Sequence, residues 1–342
     1  MNDPVEPRRT PSPLPDLDVL LAGLRVVAIP MRVPFRGVTV REAALVRGPA
    51  GWGEFSPFLE YGPPEASRWL ASAVESAWAG WPAPRRARVP VNATVPAVSA
   101  DEVAGVLARF EGCTTAKVKV AERGQALTDD VCRVAAVRDA MGPAARIRVD
   151  ANGGWDVAQA GDALAALAAY GIEYAEQPCA TVAELRQLRI VLARRGIEVP
   201  IAADESIRKA EDPLRVAREE AADLVVVKVA PLGGVRRALD VVAACGLPAV
   251  VSSALDTSVG MAAGVALAAA LPELPFACGL GTVALLEGDT ARPSLVPERG
   301  HLPVGRVSAD PALLERWAAP EDRRAWWLER VAACWSAAGQ PR

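Results

Sequence analysis

Short apolar runs of β type alternate with longer amphipathic stretches through most of the chain. Between residues 87 and 282 these runs are separated by Ala-, Leu- and Arg-rich segments with helical periodicity. The predicted strands are VPVNATV (89–95), TTAKVKV (114–120), RIRVDAN (146–152), EYAEQP (173–178), PIAADES (200–206), DLVVVKVA (223–230), LPAVVSSA (247–254) and FACGLGT (276–282). Eight strands spaced by roughly one βα unit predict an α/β fold with a closed parallel barrel.

A doubly wound open sheet is the alternative to a barrel. Its nucleotide-binding versions carry GxGxxG after the first strand or GxxxxGK[ST], and the sequence contains neither motif in that place. We therefore favour the barrel.

The two ends of the chain have other patterns. Residues 1–18 are polar and proline-rich and predict a loosely attached arm. Residues 23–58 contain β-type runs broken by prolines and glycines, and residues 64–81 have helical periodicity, which together indicate a small α+β domain ending near Pro84. Residues 310–335 predict one or two further helices.

The composition argues against nucleic-acid binding, membrane insertion and a disulfide or zinc framework. The net charge of −3 gives no general attraction to nucleic acid, and the N-terminus carries no signal-type hydrophobic run. The longest apolar stretch is too short to span a bilayer, so we expect a cytoplasmic protein with no membrane partner. The six cysteines are scattered without a CxxC pair, which is typical of core residues rather than of disulfides or a zinc site.

His301 is the only histidine and is far from the other chemical residues. A histidine-based triad or metal site is therefore nearly excluded, and acid–base chemistry must use carboxylates and lysines.

Lysines interrupt the second predicted strand of the barrel. Side chains alternate along a strand, so Lys117 and Lys119 share one face while Val118 and Val120 share the other. A solvated lysine face is the simplest interpretation of such a strand in isolation. The later strands argue against that interpretation, because acids occur where those strands end.

Three carboxylates follow at intervals of one βα unit: Asp150, Glu176 and Asp204. A barrel places them side by side at the C-terminal ends of adjacent strands, where active sites lie. Converging acids repel one another, and a divalent cation with oxygen ligands, Mg²⁺ or alternatively Mn²⁺, would offset that repulsion. Lys117 and Lys119 then flank the acids on one side and Lys228 on the other. Further polar residues at these strand ends are Arg148, Asn152, Glu205, Ser252 and Ser253.

The segments AKVKV, RVDANGGW, AEQP, ADES and VVKVAPLGG resemble the enolase superfamily in its muconate-lactonizing-enzyme-like subgroup, over about residues 23–300. The resemblance implies a (β/α)7β TIM-like barrel (87–300), an N-terminal arm and α+β capping domain (1–86), and C-terminal helices that pack with the cap (301–342). It also implies Asp150, Glu176 and Asp204 as metal ligands.

Within that subgroup, RVPFRG, SSALDTSVG, ACGLGT and LLEGD most resemble the o-succinylbenzoate synthase family of the actinobacterial type. The implied activity is the metal-dependent syn dehydration of 2-succinyl-6-hydroxy-2,4-cyclohexadiene-1-carboxylate in menaquinone biosynthesis. The partner is thus a small-molecule carboxylate, and the chain is a monomer or a homo-oligomer.

The resemblance also implies roles for individual residues. Lys119 is the expected base that removes the alpha proton, Lys117 lowers its pKa, and Lys228 stabilises the enediolate. Arg148 and Asn152 are expected to support Asp150, and Ser252, Ser253 and Phe35 are expected near the substrate.

Other activities use the same residues. An N-acylamino acid racemase or another epimerase also needs a lysine on each side of its substrate, and a muconate cycloisomerase is a further alternative. A barrel that only binds a metal or a partner is the alternative of another class, and the complete set of lysines and acids argues against it.

Overall fold

A computed structural model describes residues 14–208 and 213–339. The predicted N-terminal arm lies outside the described residues as far as residue 13. From Leu17 the chain forms a short helix, and the end of the arm contacts the C-terminal helix, because the Pro15 carbonyl accepts a hydrogen bond from Trp335 Nε1 at 2.9 Å. No helix in the described ranges is long and apolar enough to cross a membrane.

Strands and helices are numbered in chain order. The strands are β1 (Arg25–Phe35), β2 (Val38–Gly48), β3 (Gly51–Phe55), β4 (Arg88–Pro90), β5 (Ala93–Val95), β6 (Thr115–Lys119), β7 (Arg146–Asp150), β8 (Ile172–Glu176), β9 (Ile201–Ala203), β10 (Leu224–Val227), β11 (Ala249–Val251) and β12 (His301–Pro303). The helices are α1 (Leu17–Ala22), α2 (Pro63–Val74), α3 (Val103–Leu107), α4 (Leu127–Met141), α5 (Val157–Leu167), α6 (Val182–Arg195), α7 (Glu205–Arg208), α8 (Arg215–Arg218), α9 (Val229–Leu232), α10 (Val235–Cys245), α11 (Ser258–Ala270), α12 (Pro311–Arg316) and α13 (Glu321–Ala338).

The N-terminal strands β1, β2 and β3 form an antiparallel sheet in that order. Helix α2 packs against β3, and the C-terminal helix α13 packs against α2. Phe55 of β3 meets Trp327 of α13 edge to face at 5.7 Å between ring centroids. We call β1–β3, α2 and α13 the antiparallel unit, because the two ends of the chain share one core there.

Seven parallel strands of the described chain form a second sheet, in the order β5-β6-β7-β8-β9-β10-β11. Sequential order with a helix between neighbours is the arrangement expected from repeated βα units. The predicted strand 89–95 is divided between β4 and β5, and the predicted strand 200–206 ends at Ala203, where α7 begins soon after.

The eighth predicted strand, 276–282, forms only isolated bridges. The Asn92 amide donates to the Cys278 carbonyl at 2.9 Å beside β5, and the Gly279 amide donates to the Val251 carbonyl at 2.8 Å on β11. The segment therefore contacts both edge strands of the parallel sheet.

The two faces of the parallel sheet have different packing. Val118 and Val120 belong to the large core between sheet and helices. The other face carries its own buried apolar layer, which comprises Tyr174, Ala202, Leu224, Val226 and Val250, with Phe276 packed against it. Lys117 and Lys119 lie on this second face and are only 6% exposed, so the solvated-face interpretation is wrong.

Candidate active site

The strand register brings the predicted acids and lysines to one end of the parallel sheet. Lys119, Asp150 and Glu176 are direct neighbours across β6, β7 and β8. Asp204 follows β9 immediately, and Lys228 follows β10. The three acids thus occupy adjacent strands, and the lysines stand on the strands at either side of them.

Each carboxylate is paired with a lysine. Lys119 Nζ donates to Asp150 Oδ2 at 2.5 Å, and Lys228 Nζ donates to Asp204 Oδ2 at 2.6 Å. Lys117 Nζ donates to both oxygens of Glu176, at 2.9 and 3.0 Å. All of these side chains are buried, so the ion pairs are shielded from water and interact strongly.

The two lysines of β6 have opposite pKa shifts. Burial is the main cause that lowers the pKa of Lys119 to about 8, and the charges of Lys117 and Arg36 add to it against the opposing effect of Asp150. Burial also disfavours the charge of Lys117, but Glu176 and Asp150 outweigh burial and raise its pKa above the ordinary value. Lys119 is therefore the better base of the pair.

The pKa values of Glu176 and Asp150 also shift in opposite directions. Burial and the neighbouring Asp150 carboxylate raise the pKa of Glu176 to about 7, although Lys117 opposes this. Burial disfavours the charged form of Asp150 too, but Lys119 and Lys117 outweigh it and hold its pKa well below the usual range. Asp150 is therefore held in its charged form, whereas Glu176 is shifted toward its neutral form.

The carboxylates of Asp150, Glu176 and Asp204 are the type of ligand that a hard divalent cation prefers. The donors are carboxylate oxygens on adjacent strands, and a cation would favour the charged form of Glu176, which burial and, after it, the Asp150 carboxylate disfavour. In the described part of the chain, no group of three acidic, histidine or cysteine side chains forms a ready metal cage, because the carboxylates are turned toward lysines.

The loop after β7 continues the network. Asn152, in a left-handed conformation with φ of 48°, accepts a hydrogen bond from Lys119 Nζ at 2.7 Å and donates its backbone amide to Asp150 at 3.1 Å. Its side-chain amide reaches Glu205 at 3.4 Å, and Glu205 pairs with Arg36 of the β1–β2 turn at 3.5 Å. Asn152 therefore contacts both members of the Lys119–Asp150 pair.

A cavity opens above the ion pairs, between the antiparallel unit and the parallel sheet. The ammonium-bearing side chains of Lys117, Lys119 and Lys228 all line it. Phe35 contributes a wall, and its ring centroid lies 5.1 Å from Lys119 Nζ. The remaining lining residues are Arg36, Phe58, Thr94, Ser252, Ser253, Ala254, Leu255, Gly279 and Thr282.

Not every predicted site residue lies at the cavity. Ser252 and Ser253 line it, and Ser253 Oγ is hydrogen-bonded to Thr282 Oγ1 at 2.8 Å. Arg148 lies deeper, where its Nε donates to Glu173 at 2.5 Å and its guanidinium stacks over Tyr174 at 4.7 Å from the ring centroid. Its Nη1 also donates to the Ala277 carbonyl at 2.6 Å, so the hydrogen bonds of Arg148 support the sheet interior and not Asp150.

Sequence reasoning missed Thr94, Arg36 and Phe58 in the cavity wall. Thr94 is the register neighbour of Lys117, and its hydroxyl is buried without a hydrogen-bond partner in the described structure. Applying the strand-end rule to the first strand would have found Thr94. Arg36 and Phe58 come from the antiparallel unit, so only the packing of the two parts places them here.

Comparison with known proteins assigns both parts of the chain to one superfamily. Residues 100–308 match the family model described as enolase C-terminal domain-like, and residues 26–77 match the model described as enolase N-terminal domain-like. A solved structure of muconate lactonizing enzyme from Pseudomonas fluorescens, complexed with muconolactone, superimposes with a TM-score of 0.74 at 23% identity. The match covers 86% of this chain and 98% of that one.

The curated relatives are much more similar. The o-succinylbenzoate synthase of Mycobacterium tuberculosis (strain ATCC 25618 / H37Rv) is 60% identical over 324 residues, which are 94% of this chain and 97% of that protein. The o-succinylbenzoate synthase of Mycolicibacterium smegmatis is 62% identical over 322 residues, 94% of this chain and 98% of that protein. The chain therefore belongs to the o-succinylbenzoate synthase family of the enolase superfamily.

Proposed function

We propose that this chain dehydrates 2-succinyl-6-hydroxy-2,4-cyclohexadiene-1-carboxylate to o-succinylbenzoate, the hydro-lyase activity of menaquinone biosynthesis. The observation that carries the proposal is the cavity lined from two sides by Lys119 and Lys228. The identity of about three residues in five to o-succinylbenzoate synthases over 94% of the chain selects this reaction among those that two lysines can perform.

The first step is removal of the substrate's alpha proton by Lys119. A free lysine has a pKa of about 10.4 and is a poor base at neutral pH. With its pKa near 8, Lys119 is neutral in a useful fraction of molecules. Lys117, which stays protonated, is placed to contact a substrate carboxylate in the same cavity.

Loss of the proton forms an enediolate, whose charge develops on the substrate carboxylate. Lys228 approaches from the opposite side and stabilises this charge as an ammonium group. Lys119, now protonated, returns the proton to the leaving hydroxide. One lysine thus acts as base and then as acid on the same face, which is what syn elimination requires.

Asp150, Glu176 and Asp204 would hold the divalent cation, Mg²⁺ or alternatively Mn²⁺. A bound dication supplies charge stabilisation at the substrate carboxylate. The chain's own contribution is to place three oxygen-donor side chains on adjacent strands and to keep Asn152 against Asp150 and Lys119.

We further propose the (β/α)7β barrel with a capping domain as the architecture, with residues 1–86 and 301–342 forming the cap region and residues 87–300 the barrel. The contacts of residues 276–282 with both edge strands and the shared core of the antiparallel unit support it. Phe35, Ser252 and Ser253 line the cavity and are proposed substrate contacts.

The test is to offer purified protein the cyclohexadiene substrate and, separately, N-acylamino acids, and to compare kcat/KM. We expect formation of o-succinylbenzoate with the higher kcat/KM. Racemisation of N-acylamino acids without any o-succinylbenzoate would replace the proposal with the racemase, which the same pair of lysines could serve.

A further inference from the structure

Arg41 of β2 joins the antiparallel unit to the wall of the active-site cavity. Its side chain is buried, and Nε donates to the Leu255 carbonyl at 2.9 Å while Nη2 donates to the Ala254 carbonyl at 3.1 Å. Both acceptors lie in the loop between β11 and α11, and both residues line the cavity. One guanidinium thus holds two successive carbonyls of that wall.

The same guanidinium holds a second wall segment. Nη2 also donates to the Ser56 carbonyl, and the guanidinium carbon lies 5.0 Å from the centroid of the Phe58 ring. Phe58 also lines the cavity, as do Ala254 and Leu255. Arg41 therefore joins two segments of the cavity wall, the loop after β3 that carries Phe58 and the loop after β11 that carries Ala254 and Leu255.

The loop that Arg41 holds has a conformation that needs support. Leu255 has φ of 61°, in the left-handed region that residues other than glycine rarely adopt. Such a backbone persists only where its surroundings hold it. The far end of the loop is held as well, because Glu54 of β3 accepts hydrogen bonds from the backbone amides of Thr257 and Gly260.

We propose that Arg41 is a positioning residue that sets the width of the substrate cavity and so determines substrate affinity. It acts through Leu255, Ala254 and Phe58 and lies outside the residues that line the cavity. This inference rests on the proposed function, since it assigns Arg41 a role in binding that substrate.

The adjacent residue Glu42 offers a matched control. Its carboxylate accepts two hydrogen bonds from Arg323 of α13, at 2.8 and 2.6 Å. The Glu42–Arg323 pair ties the antiparallel unit together away from the cavity. Arg323→Met therefore removes an arginine that also bonds to β2, without touching the residues that line the cavity.

The experiment compares Arg41→Met, Arg41→Lys and Arg323→Met. We measure kcat and KM for dehydration and the hydrogen–deuterium exchange of the peptide that spans residues 253–257. We expect Arg41→Met to raise KM about tenfold with kcat changed less than about threefold, and to speed exchange in that peptide. Lysine keeps the charge but cannot form the arginine fork, so Arg41→Lys should lie between wild type and Arg41→Met. Arg323→Met should leave KM and this exchange unchanged.

Two results would overturn the inference. One is an unchanged KM and unchanged loop exchange in Arg41→Met, or in Arg41→Lys if the Met variant does not fold. The other is an equal rise of KM in Arg323→Met, which would mean that any loosening of the antiparallel unit has the same effect. Failure of the wild type to dehydrate the substrate would refute the proposed function instead, while the exchange measurement would still decide whether Arg41 holds the loop.

Discussion

At the scale of single residues, the site depends on two lysines placed two positions apart on one strand. Lys117 and Lys119 experience the same burial, yet their pKa values move in opposite directions because Lys117 faces two carboxylates and Lys119 faces Asp150, Lys117 and Arg36. Both residues are lysines, so their different roles as base and as charged group come from their positions relative to the acids.

The first prediction separates Lys119 from Lys228. Lys119→Ala should lower the rate of dehydration by about 10³-fold or more, because the one histidine of the chain, His301 of β12, does not line the cavity and cannot replace the base. Lys228→Ala should also be severely impaired, but it keeps the base. With an analogue that carries the alpha proton and lacks the leaving hydroxyl, Lys228→Ala should still exchange that proton in D₂O, and Lys119→Ala should not. NMR of the analogue measures both rates.

The outcome that contradicts this assignment is specific. If each variant exchanged the proton of the opposite enantiomer, both lysines would be true bases. Together with no dehydration by the wild type, that pattern belongs to a racemase.

The second prediction concerns the metal. Chelation with EDTA should abolish dehydration, and Mg²⁺ or Mn²⁺ should restore it. Asp204→Asn should weaken Mn²⁺ binding by more than about tenfold in calorimetry, because a charged oxygen donor is lost. Its unfolding midpoint should also fall, because the substitution leaves the buried Lys228 without the carboxylate that it pairs with at 2.6 Å. Full activity in metal-free buffer would refute the ligand assignment.

At the scale of elements, the end of β6 is fixed from helix α4. Arg133 is 1% exposed, and its Nη1 donates to the Lys119 carbonyl at 2.9 Å and to Asp130 at 2.8 Å. Asp130 in turn accepts the backbone amide of Ala121 at 2.9 Å, where φ is 58°. The helix thus holds the backbone that carries the proposed base.

The third prediction tests this anchoring. Arg133→Met should lower the free energy of unfolding by about 3–5 kcal/mol, because it leaves the buried Asp130 carboxylate without its cation. The double variant with Asp130→Asn should recover part of the loss, since the uncompensated charge is gone. Urea unfolding of wild type, both single variants and the double variant gives the coupling. Additive losses would mean that the pair does not act as a unit.

At the scale of the whole molecule, the C-terminal helix α13 packs into the same core as the N-terminal strand β3. Trp327 of α13 is fully buried, meets Phe55 of β3 edge to face, and donates Nε1 to Glu42 at 2.8 Å. The antiparallel unit built on this core supplies Phe35, Arg36 and Phe58 to the cavity. The C-terminal helix therefore stabilises a part of the site from a distance.

The fourth prediction follows from that core. Trp327→Ala should lower the free energy of unfolding by about 3–5 kcal/mol, because apolar burial is lost and a cavity is left behind. Trp326→Ala, at the neighbouring half-buried position, should lower it much less. Thermal unfolding of both variants measures the difference. Equal losses would show that the helix is not anchored through Trp327.

The sequence alone determined the parts that repeat along the chain. Period-two alternation placed Lys117 and Lys119 on one face. An acid at the end of successive predicted strands placed Asp150 and Glu176 side by side, because parallel strands in sequential order bring their C-terminal ends to one edge of the sheet. The eighth predicted strand was less regular than expected. Its apolar pattern indicated a strand, but only isolated bridges form at Cys278 and Gly279.

Tertiary structure decided what depends on contacts between distant segments. Packing that no local pattern encodes decides which carboxylate each lysine faces. It also decides the opposite pKa shifts of Lys117 and Lys119 and the position of Arg148 below the site. The cavity itself exists only where the antiparallel unit meets the parallel sheet. Arg41 is part of that meeting: its spacing along the chain carries no signal, and its role appears only when Leu255, more than two hundred residues later, accepts its hydrogen bond.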